Sequence, residues 1–187
     1  MTPAMTNKTI SPEFELLASA ANFIKGEFEK DASIWIGSPF EWALTLPSGS
    51  KGKLGKRLIY QWCALKGLSI DSSPDSEADM LINGHRVEIK FSTLWKAGIY
   101  KFQQIRDQNY EYSVCLGISP FDAHCWIVSK AILKKNVIGH LGQHTGSKGQ
   151  ETAWFSVNPQ TPPQWLVPCG GTLEKAYMVL RSLSRKK

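Results

Sequence analysis

Two short stretches of alternating apolar and polar residues, separated by an Asn-Gly pair, constrain this chain more than any other feature of its sequence. Asn-Gly between alternating stretches is the strongest short-range signal for a two-residue hairpin turn. We therefore predict an antiparallel hairpin in which the strands 78–82 and 86–91 are joined at Asn83 and Gly84.

The two-residue turn also predicts the register of the hairpin. Counting outward from the turn places Asp79 opposite Glu88, with their Cβ atoms roughly 5 Å apart on one face. Lys90 shares this face because it lies two residues beyond Glu88. The opposite face is apolar and suits the core, with Met80, Val87, Ile89 and Phe91.

A face that carries two carboxylates and an amine suits one kind of chemistry in particular. Opposed carboxylates repel each other, and a divalent cation between them reverses the sign of that interaction. Such a metal polarises a phosphate and lowers the pKa of a bound water, while an ammonium stabilises developing charge or positions the attacking water. The pattern thus favours phosphodiester hydrolysis. From the residues alone, a solvent-exposed Glu-Lys pair on an edge hairpin stays open as the alternative.

The segments 76–82 and 87–90 resemble the signature of the PD-(D/E)XK nuclease superfamily, and within it the type II restriction endonucleases. The resemblance covers about residues 51–130. It implies a mixed sheet flanked by helices and a dependence on Mg²⁺. It also implies that Asp79 and Glu88 are metal ligands and that Lys90 is the catalytic amine.

The resemblance extends the metal site to two further residues. Ile89, between Glu88 and Lys90, is counted with the metal-binding residues. In this superfamily the helix before the hairpin often supplies another Glu, but here that helix has Lys56 and no acid. Glu41, on a short preceding helix, is the nearest substitute.

Two aspartates compete for the first acidic position of the motif. Pro74-Asp75 lies just upstream and could be taken for the motif's own Pro-Asp pair. We prefer Asp79, because it pairs opposite Glu88, whereas Asp75 falls in the loop before the strand.

Helical periodicity on both sides of a run of strands predicts a single α/β domain over residues 1–187, with a flexible tail at 1–10. The expected architecture is a central mixed β-sheet flanked by helices, with a restriction-endonuclease-like core. Beyond the hairpin, we predict strands at 112–118, 124–128 and 152–157. Helices are predicted at about 11–30, 38–42, 51–66, 100–106 and 129–135 and after Thr172, with residues 47–50 breaking the second helix.

The charge balance gives a second, independent indication of nucleic-acid binding. The chain has 22 Lys and Arg against 16 Asp and Glu, a net charge of +6, and a small basic protein often binds nucleic acid. The predicted helix 51–66 carries basic residues without any acid: Lys51, Lys53, Lys56, Arg57 and Lys66. This helix faces either solvent or phosphate, and charge alone leaves both interpretations open.

Two segments have the donors and acceptors that reading base edges requires. One follows the hairpin and the other is a loop whose glycines permit close backbone approach. With Lys51 and Lys53, they complete the predicted DNA-binding set: Lys101, Gln103, Gln104, Arg106, Gln143, His144, Thr145 and Lys148.

Composition excludes several other classes of protein. No apolar run approaches the ~20 residues of a membrane helix, so we expect no membrane partner. Four scattered cysteines fit a reducing, cytoplasmic location. No motif for a small-molecule cofactor is found.

We therefore expect a Mg²⁺-dependent endonuclease that cuts double-stranded DNA, sequence-specific and of restriction type. Because one active site per subunit must cut two strands, a homodimer is expected. A non-catalytic nuclease-like DNA-binding module and a structure-specific nuclease, either a junction resolvase or a mismatch nickase, are the alternatives.

Overall fold

The computed structural model describes residues 11–140, 142–143 and 152–185, and their side chains except those of 23–31 and 142–143. The described residues form four α-helices and nine strands. The helices are α1 (Pro12–Ser33), α2 (Ser48–Leu65), α3 (Lys130–Asn136) and α4 (Leu173–Ser182). The strands are β1 (Ile70–Ser72), β2 (Met80–Ile82), β3 (His85–Thr93), β4 (Tyr100–Ile105), β5 (Tyr112–Ile118), β6 (Ala123–Ser129), β7 (Gly142–Gln143), β8 (Thr152–Val157) and β9 (Gly170–Thr172).

The predicted hairpin forms between β2 and β3. Asn83 and Gly84 have φ angles of +52° and +79°, the left-handed conformation that a two-residue turn of this kind requires at both positions. Asn tolerates this conformation and Gly adopts it without a steric penalty. Three residue pairs follow the predicted register, from Ile82 opposite His85 to Met80 opposite Val87.

The larger sheet has six strands in the order β1-β2-β3-β5-β6-β9. Strands β3 and β5 run parallel, and every other neighbouring pair in it is antiparallel. Strand β2 pairs only with residues 85–87 of β3, so the carboxyl-terminal half of β3 pairs with β5 on one side and, among the described residues, has a free edge on the other. The predicted α/β class with a central mixed sheet and flanking helices is confirmed.

Apolar side chains pack against both faces of the larger sheet, and each face contacts different elements. On one face, Val87 and Ile89 of β3 pack with Ile59 and Cys63 of α2 and Leu180 of α4. The other face packs against a three-stranded sheet of order β4-β8-β7 and against α3, with aromatic side chains between the layers: Tyr100, Phe102, Trp126 and Phe155. Residues of β3 that point away from α2 therefore face β4.

The prediction of a helix over residues 100–106 is wrong, because this segment is strand β4. Tyr100 and Phe102 alternate with exposed or half-buried neighbours and are themselves fully buried, as in a strand. Pairing with β8, some fifty residues further along the chain, stabilises the segment as a strand. The local residue pattern does not indicate so distant a partner.

Smaller differences concern the ends of elements. Helix α2 begins at Ser48 rather than at residue 51, with Pro47 as its N-cap residue, so residues 48–50 belong to its first turn. The short helix predicted at 38–42 is a 3₁₀ turn at Glu41–Thr45. Strand β2 begins at Met80, two residues later than predicted. The tail predicted at residues 1–10 lies outside the described residues.

Among the described helices, none is long and apolar enough to cross a membrane.

Candidate active site

A cleft of about 1190 Å³ opens beside the carboxyl-terminal half of β3, with α2 on one side and β4 on the other. Six lysines and two carboxylates line it among the described residues, so its lining is strongly positive. These residues are Lys51, Lys53, Lys56, Lys90, Lys96, Lys101, Asp79 and Glu88. All three predicted catalytic residues therefore lie in one cleft.

Asp79 reaches the cleft through a β-bulge rather than through the predicted ladder pair. Its backbone N–H bonds the carbonyl of Val87 (2.9 Å), although Val87 already pairs with Met80. Two residues of one strand thus face one residue of the other, and the ladder ends before Asp79 can lie opposite Glu88. The expected direct pairing of Asp79 with Glu88 is wrong for this reason.

The bulge gives the Asp79 carboxylate two separate partners. Its Oδ2 atom accepts the backbone N–H of Ile89 at 2.8 Å, which a longer β2 would otherwise satisfy. Its other oxygen, Oδ1, forms an ion pair with the ammonium of Lys56 on α2. The Asp79 side chain is only 10% exposed, whereas that of Lys56 is 48% exposed.

Glu88 and Lys90 form the second ion pair, on the face of β3 that looks toward β4. The Lys90 Nζ atom donates to Glu88 Oε1 at 2.8 Å, and the two side chains are 13% and 14% exposed. Burial raises the pKa of the Glu88 carboxyl, and Asp79 raises it further, while Lys90 and Lys56 oppose the rise. Burial thus disfavours the charged form of Glu88, and a cation bound beside the carboxylate would stabilise that form.

Lys90 has a second partner that the sequence did not indicate. Its Nζ atom also donates to the backbone carbonyl oxygen of Gln104 in β4, at 2.7 Å. The ammonium is therefore fixed between a carboxylate of its own strand and a carbonyl of the facing sheet.

The oxygen atoms of the Asp79 and Glu88 carboxylates and of the Ile89 carbonyl are of the kind that a divalent cation binds. A residue's N–H and C=O point to the same side of a strand, so the Ile89 carbonyl faces the same edge as the N–H that bonds Asp79. Two carboxylates and one carbonyl, with waters and a substrate phosphate, form the kind of oxygen set that Mg²⁺ takes. No group of three or more His, Cys, Asp and Glu side chains that could hold a metal occurs in the described part of the chain. Such an ion would therefore depend on Asp79, Glu88 and the backbone.

The two other acids considered from the sequence lie elsewhere. Glu41 is exposed and its Oε2 accepts the N–H of Gly37 at 3.0 Å; it is not among the residues that line the cleft. Asp75 forms an ion pair with Arg86 outside the cleft, and that guanidinium together with the N–H of Glu77 holds the pKa of Asp75 below its usual range. The structure thus brings Asp79 into the cleft and leaves Glu41 and Asp75 outside it.

The predicted DNA-binding residues divide into three groups. Lys51, Lys53, Lys101, Gln103 and Gln104 line the cleft. Arg106 is exposed just beyond the end of β4 and is not part of the lining. The backbone of Gln143 belongs to β7, and His144, Thr145 and Lys148 lie outside the described residues.

Two residues of the cleft were missed as functional candidates. The sequence indicates Lys56 as one of the basic residues of the helix 51–66 and as a departure from the expected acid, but not as the partner of Asp79. Trp95 lies at the rim and is 47% exposed, with the Lys101 ammonium 4.0 Å from the centre of its ring. An exposed aromatic side chain beside lysines provides a surface on which a nucleobase could stack. In the sequence, the feature that could have indicated Trp95 is its position shortly after the strand that carries Glu88 and Lys90.

Comparison with known proteins adds little to this geometry. No protein-family model matches the chain, and no curated protein matches it. Among solved structures, the chain is similar to a bacterial homing endonuclease, with 13% sequence identity and a TM-score of 0.46. The match covers 72% of this chain and 92% of that one. A likeness this distant does not carry an activity or a set of site residues from one protein to the other.

Proposed function

We propose that this protein is a Mg²⁺-dependent endonuclease that hydrolyses phosphodiester bonds in double-stranded DNA. The observation that carries the proposal is the meeting of Asp79, Glu88 and Lys90 in one cleft whose other charged side chains, among the described residues, are lysines. Two buried carboxylates in a basic cleft are poorly placed for binding a polyanion alone, since they repel phosphate. They are well placed if a divalent cation is shared with that phosphate.

Each residue has a distinct role in the proposed reaction. Asp79 and Glu88, with the Ile89 carbonyl, would hold the metal, which when bound polarises the phosphate and lowers the pKa of a bound water. Lys90 keeps a compact positive charge beside this position, where it stabilises charge that develops on the phosphate or orients the attacking water. The fixed contacts of Lys90 with Glu88 and Gln104 reduce the entropy that ordering its long side chain would otherwise cost.

The walls of the cleft support DNA as the substrate. Lys51, Lys53 and Lys56 of α2 line one side of the cleft, where their ammonium groups can neutralise phosphates of a DNA backbone. Lys96 and Lys101 face them from the β4 side. A backbone that runs between these walls would pass over the carboxylates.

A DNA-binding module without activity is the second candidate, and one observation favours it. Both carboxylates are paired with lysines in this structure, Asp79 with Lys56 and Glu88 with Lys90, so the charges balance without a metal. A structure-specific nuclease would share the site and differ only in the DNA that it selects.

Cleavage of supercoiled plasmid with Mg²⁺, and with EDTA, separates these candidates. The endonuclease converts the plasmid to nicked or linear DNA with Mg²⁺ and leaves it intact with EDTA. DNA binding without cleavage under either condition would favour the binding module. Cut ends at one repeated sequence would support the restriction type, whereas cleavage confined to added junctions or mismatches would support the structure-specific nuclease.

A restriction-type enzyme would act as a homodimer, because two equivalent sites are needed to cut both strands of a palindrome. Sedimentation of the protein on a cognate duplex tests this part of the proposal. Two chains on one duplex support it, and one chain that makes only nicks contradicts it.

A further inference from the structure

Lys90 is held by a backbone feature in a different sheet. Its ammonium is 2.8 Å from Glu88 Oε1 and 2.7 Å from the Gln104 carbonyl oxygen. A lysine side chain has four rotatable methylene bonds, so a fixed ammonium requires acceptors at fixed positions. The Glu88 carboxylate neutralises the positive charge of the ammonium that it binds. The backbone carbonyl of Gln104 also binds the ammonium but leaves its positive charge in place.

The backbone of Gln104 is unusual for its residue type. Its φ angle is +55°, in the left-handed region that glycine occupies readily and that most other residues avoid. Among the described residues other than glycine, only Asn83 of the hairpin turn shares this conformation. A glutamine inside a strand therefore adopts a conformation for which its own side chain gives no reason.

A β-bulge accounts for where this conformation occurs. Phe102 pairs with Phe155 and Ile105 with Ala153, so β4 has one more residue than β8 between these pairs. In a regular strand the carbonyl of each residue lies in the plane of its own sheet and serves the ladder. At the bulge the left-handed residue is released from the ladder, and its carbonyl turns toward Lys90.

We propose that the left-handed bulge at Gln104 is a positioning device for Lys90, in which the backbone carbonyl fixes the ammonium beside the carboxylate pair. This inference rests on the proposed nuclease function for its consequence in catalysis. The contact itself involves only atoms of the protein. Backbone strain kept at such a site is consistent with a functional role.

Two substitutions isolate the backbone from the side chain. Both Gln104→Gly and Gln104→Val remove the side-chain amide, so any base contact by that amide is lost equally. Glycine keeps the left-handed conformation without strain, whereas β-branched valine strongly disfavours it. We expect kcat on plasmid to fall at least tenfold more in Gln104→Val than in Gln104→Gly, with equal DNA affinity and KM in the two variants. The kcat of Gln104→Asn, which tolerates this conformation, should lie closer to that of Gln104→Gly than to that of Gln104→Val.

A measurement without DNA or metal separates this inference from the proposed function. The ¹⁵N-labelled lysine ammonium signals of the whole protein report whether the Lys90 protons are held, and loss of one signal in Lys90→Arg assigns it. The signal should persist in Gln104→Gly and Gln104→Asn and shift or broaden in Gln104→Val. Should the valine variant not fold, Gln104→Ala serves in its place and should show a smaller change of the same kind.

The outcomes are distinct. Equal signals in the glycine and valine variants, or in the glycine and alanine variants if valine does not fold, overturn the positioning role. A changed signal with no DNA cleavage by the wild-type protein supports the positioning role and removes the nuclease function. A changed signal with kcat equal in both variants shows that the held ammonium does not serve the reaction, and the inference is then wrong in its catalytic part.

Discussion

The ammonium of Lys56 on α2 is paired with the carboxylate of Asp79 at the edge of the central sheet, where the proposed metal would lie. A positive charge fixed at this point lowers the affinity for a cation that shares Asp79. It also neutralises a carboxylate that is only 10% exposed. A metal bound at Asp79 would therefore compete with the Lys56 contact, and Lys56 would then become available to a phosphate.

Removal of the Lys56 charge should strengthen metal binding in the absence of DNA. We expect Lys56→Gln to bind Mn²⁺ roughly 3- to 10-fold more tightly, as the loss of one like charge at short range near the surface implies. Titration calorimetry with Mn²⁺ measures this directly. Lys51→Gln is the matched control, since Lys51 lies about 7.5 Å further along the same helix. An equal effect of both substitutions, or weaker binding in Lys56→Gln, would exclude a direct competition.

The position of α2 over the sheet depends on a glycine beside Lys56. A Cβ atom added at Gly55 would collide with the Cβ of Phe91 on β3 and lie 2.8 Å from its Cγ, whereas one added at Gly52 meets nothing within 4 Å. Gly55→Ala should therefore lower the free energy of unfolding by about 1–3 kcal/mol. Gly52→Ala, in the same helix, should raise it by about 0.5–1 kcal/mol. Urea denaturation of the two variants checks both signs, and stabilisation by Gly55→Ala would contradict the close packing.

Part of this molecule could be predicted from the sequence because the relevant interactions are local. Asn83 and Gly84 set a turn, and the turn sets three residue pairs of the hairpin. Because Ser129 caps the first turn of α3 through its own side chain, the start of that helix was also predictable.

The remainder depends on contacts between distant segments. The local pattern of residues 100–106 predicts a helix, whereas pairing with β8, some fifty residues away, makes this segment strand β4. The residue pattern does not indicate the bulge at Asp79 or the bulge at Gln104. Together these bulges determine which oxygen atoms surround Lys90 and the proposed metal position. The residue types of the site could thus be predicted, but the backbone that arranges them could not.

The lysines of the α2 wall should contribute to DNA affinity through charge alone. We expect Lys51→Gln and Lys53→Gln each to weaken binding to all duplexes by a similar factor and to reduce the slope of log affinity against log salt by about 1. Fluorescence anisotropy at several salt concentrations measures both quantities. An effect confined to one DNA sequence would instead assign these lysines to base recognition, and an unchanged slope would place them away from the DNA.

Lys90 should be needed for the reaction and not for binding. We expect Lys90→Ala to lower the cleavage rate by at least about 100-fold, because one stabilising donor at a developing charge has an effect of this size. The DNA affinity should change little, since Lys90 is one of six lysines in the described part of the chain that line the cleft. Lys90→Arg should not restore the rate, because a planar guanidinium cannot occupy the place of a compact ammonium between Glu88 and Gln104. Equal losses of rate and affinity in Lys90→Ala would make Lys90 a phosphate contact.

Asp79 and Glu88 are proposed to hold the metal on which DNA cleavage depends. The most direct measurement is the single-turnover rate of plasmid cleavage against Mg²⁺ concentration, for the wild-type protein and for Asp79→Asn and Glu88→Gln. Asp79→Asn is chosen because its amide oxygen can still accept the N–H of Ile89, which keeps the bulge intact. We predict rates at least about 100-fold lower in both variants, restored in part by higher Mg²⁺, with DNA affinity retained or increased because a negative charge has been removed. Cleavage at the wild-type rate by either variant, or by the wild-type protein in EDTA, would contradict the claim.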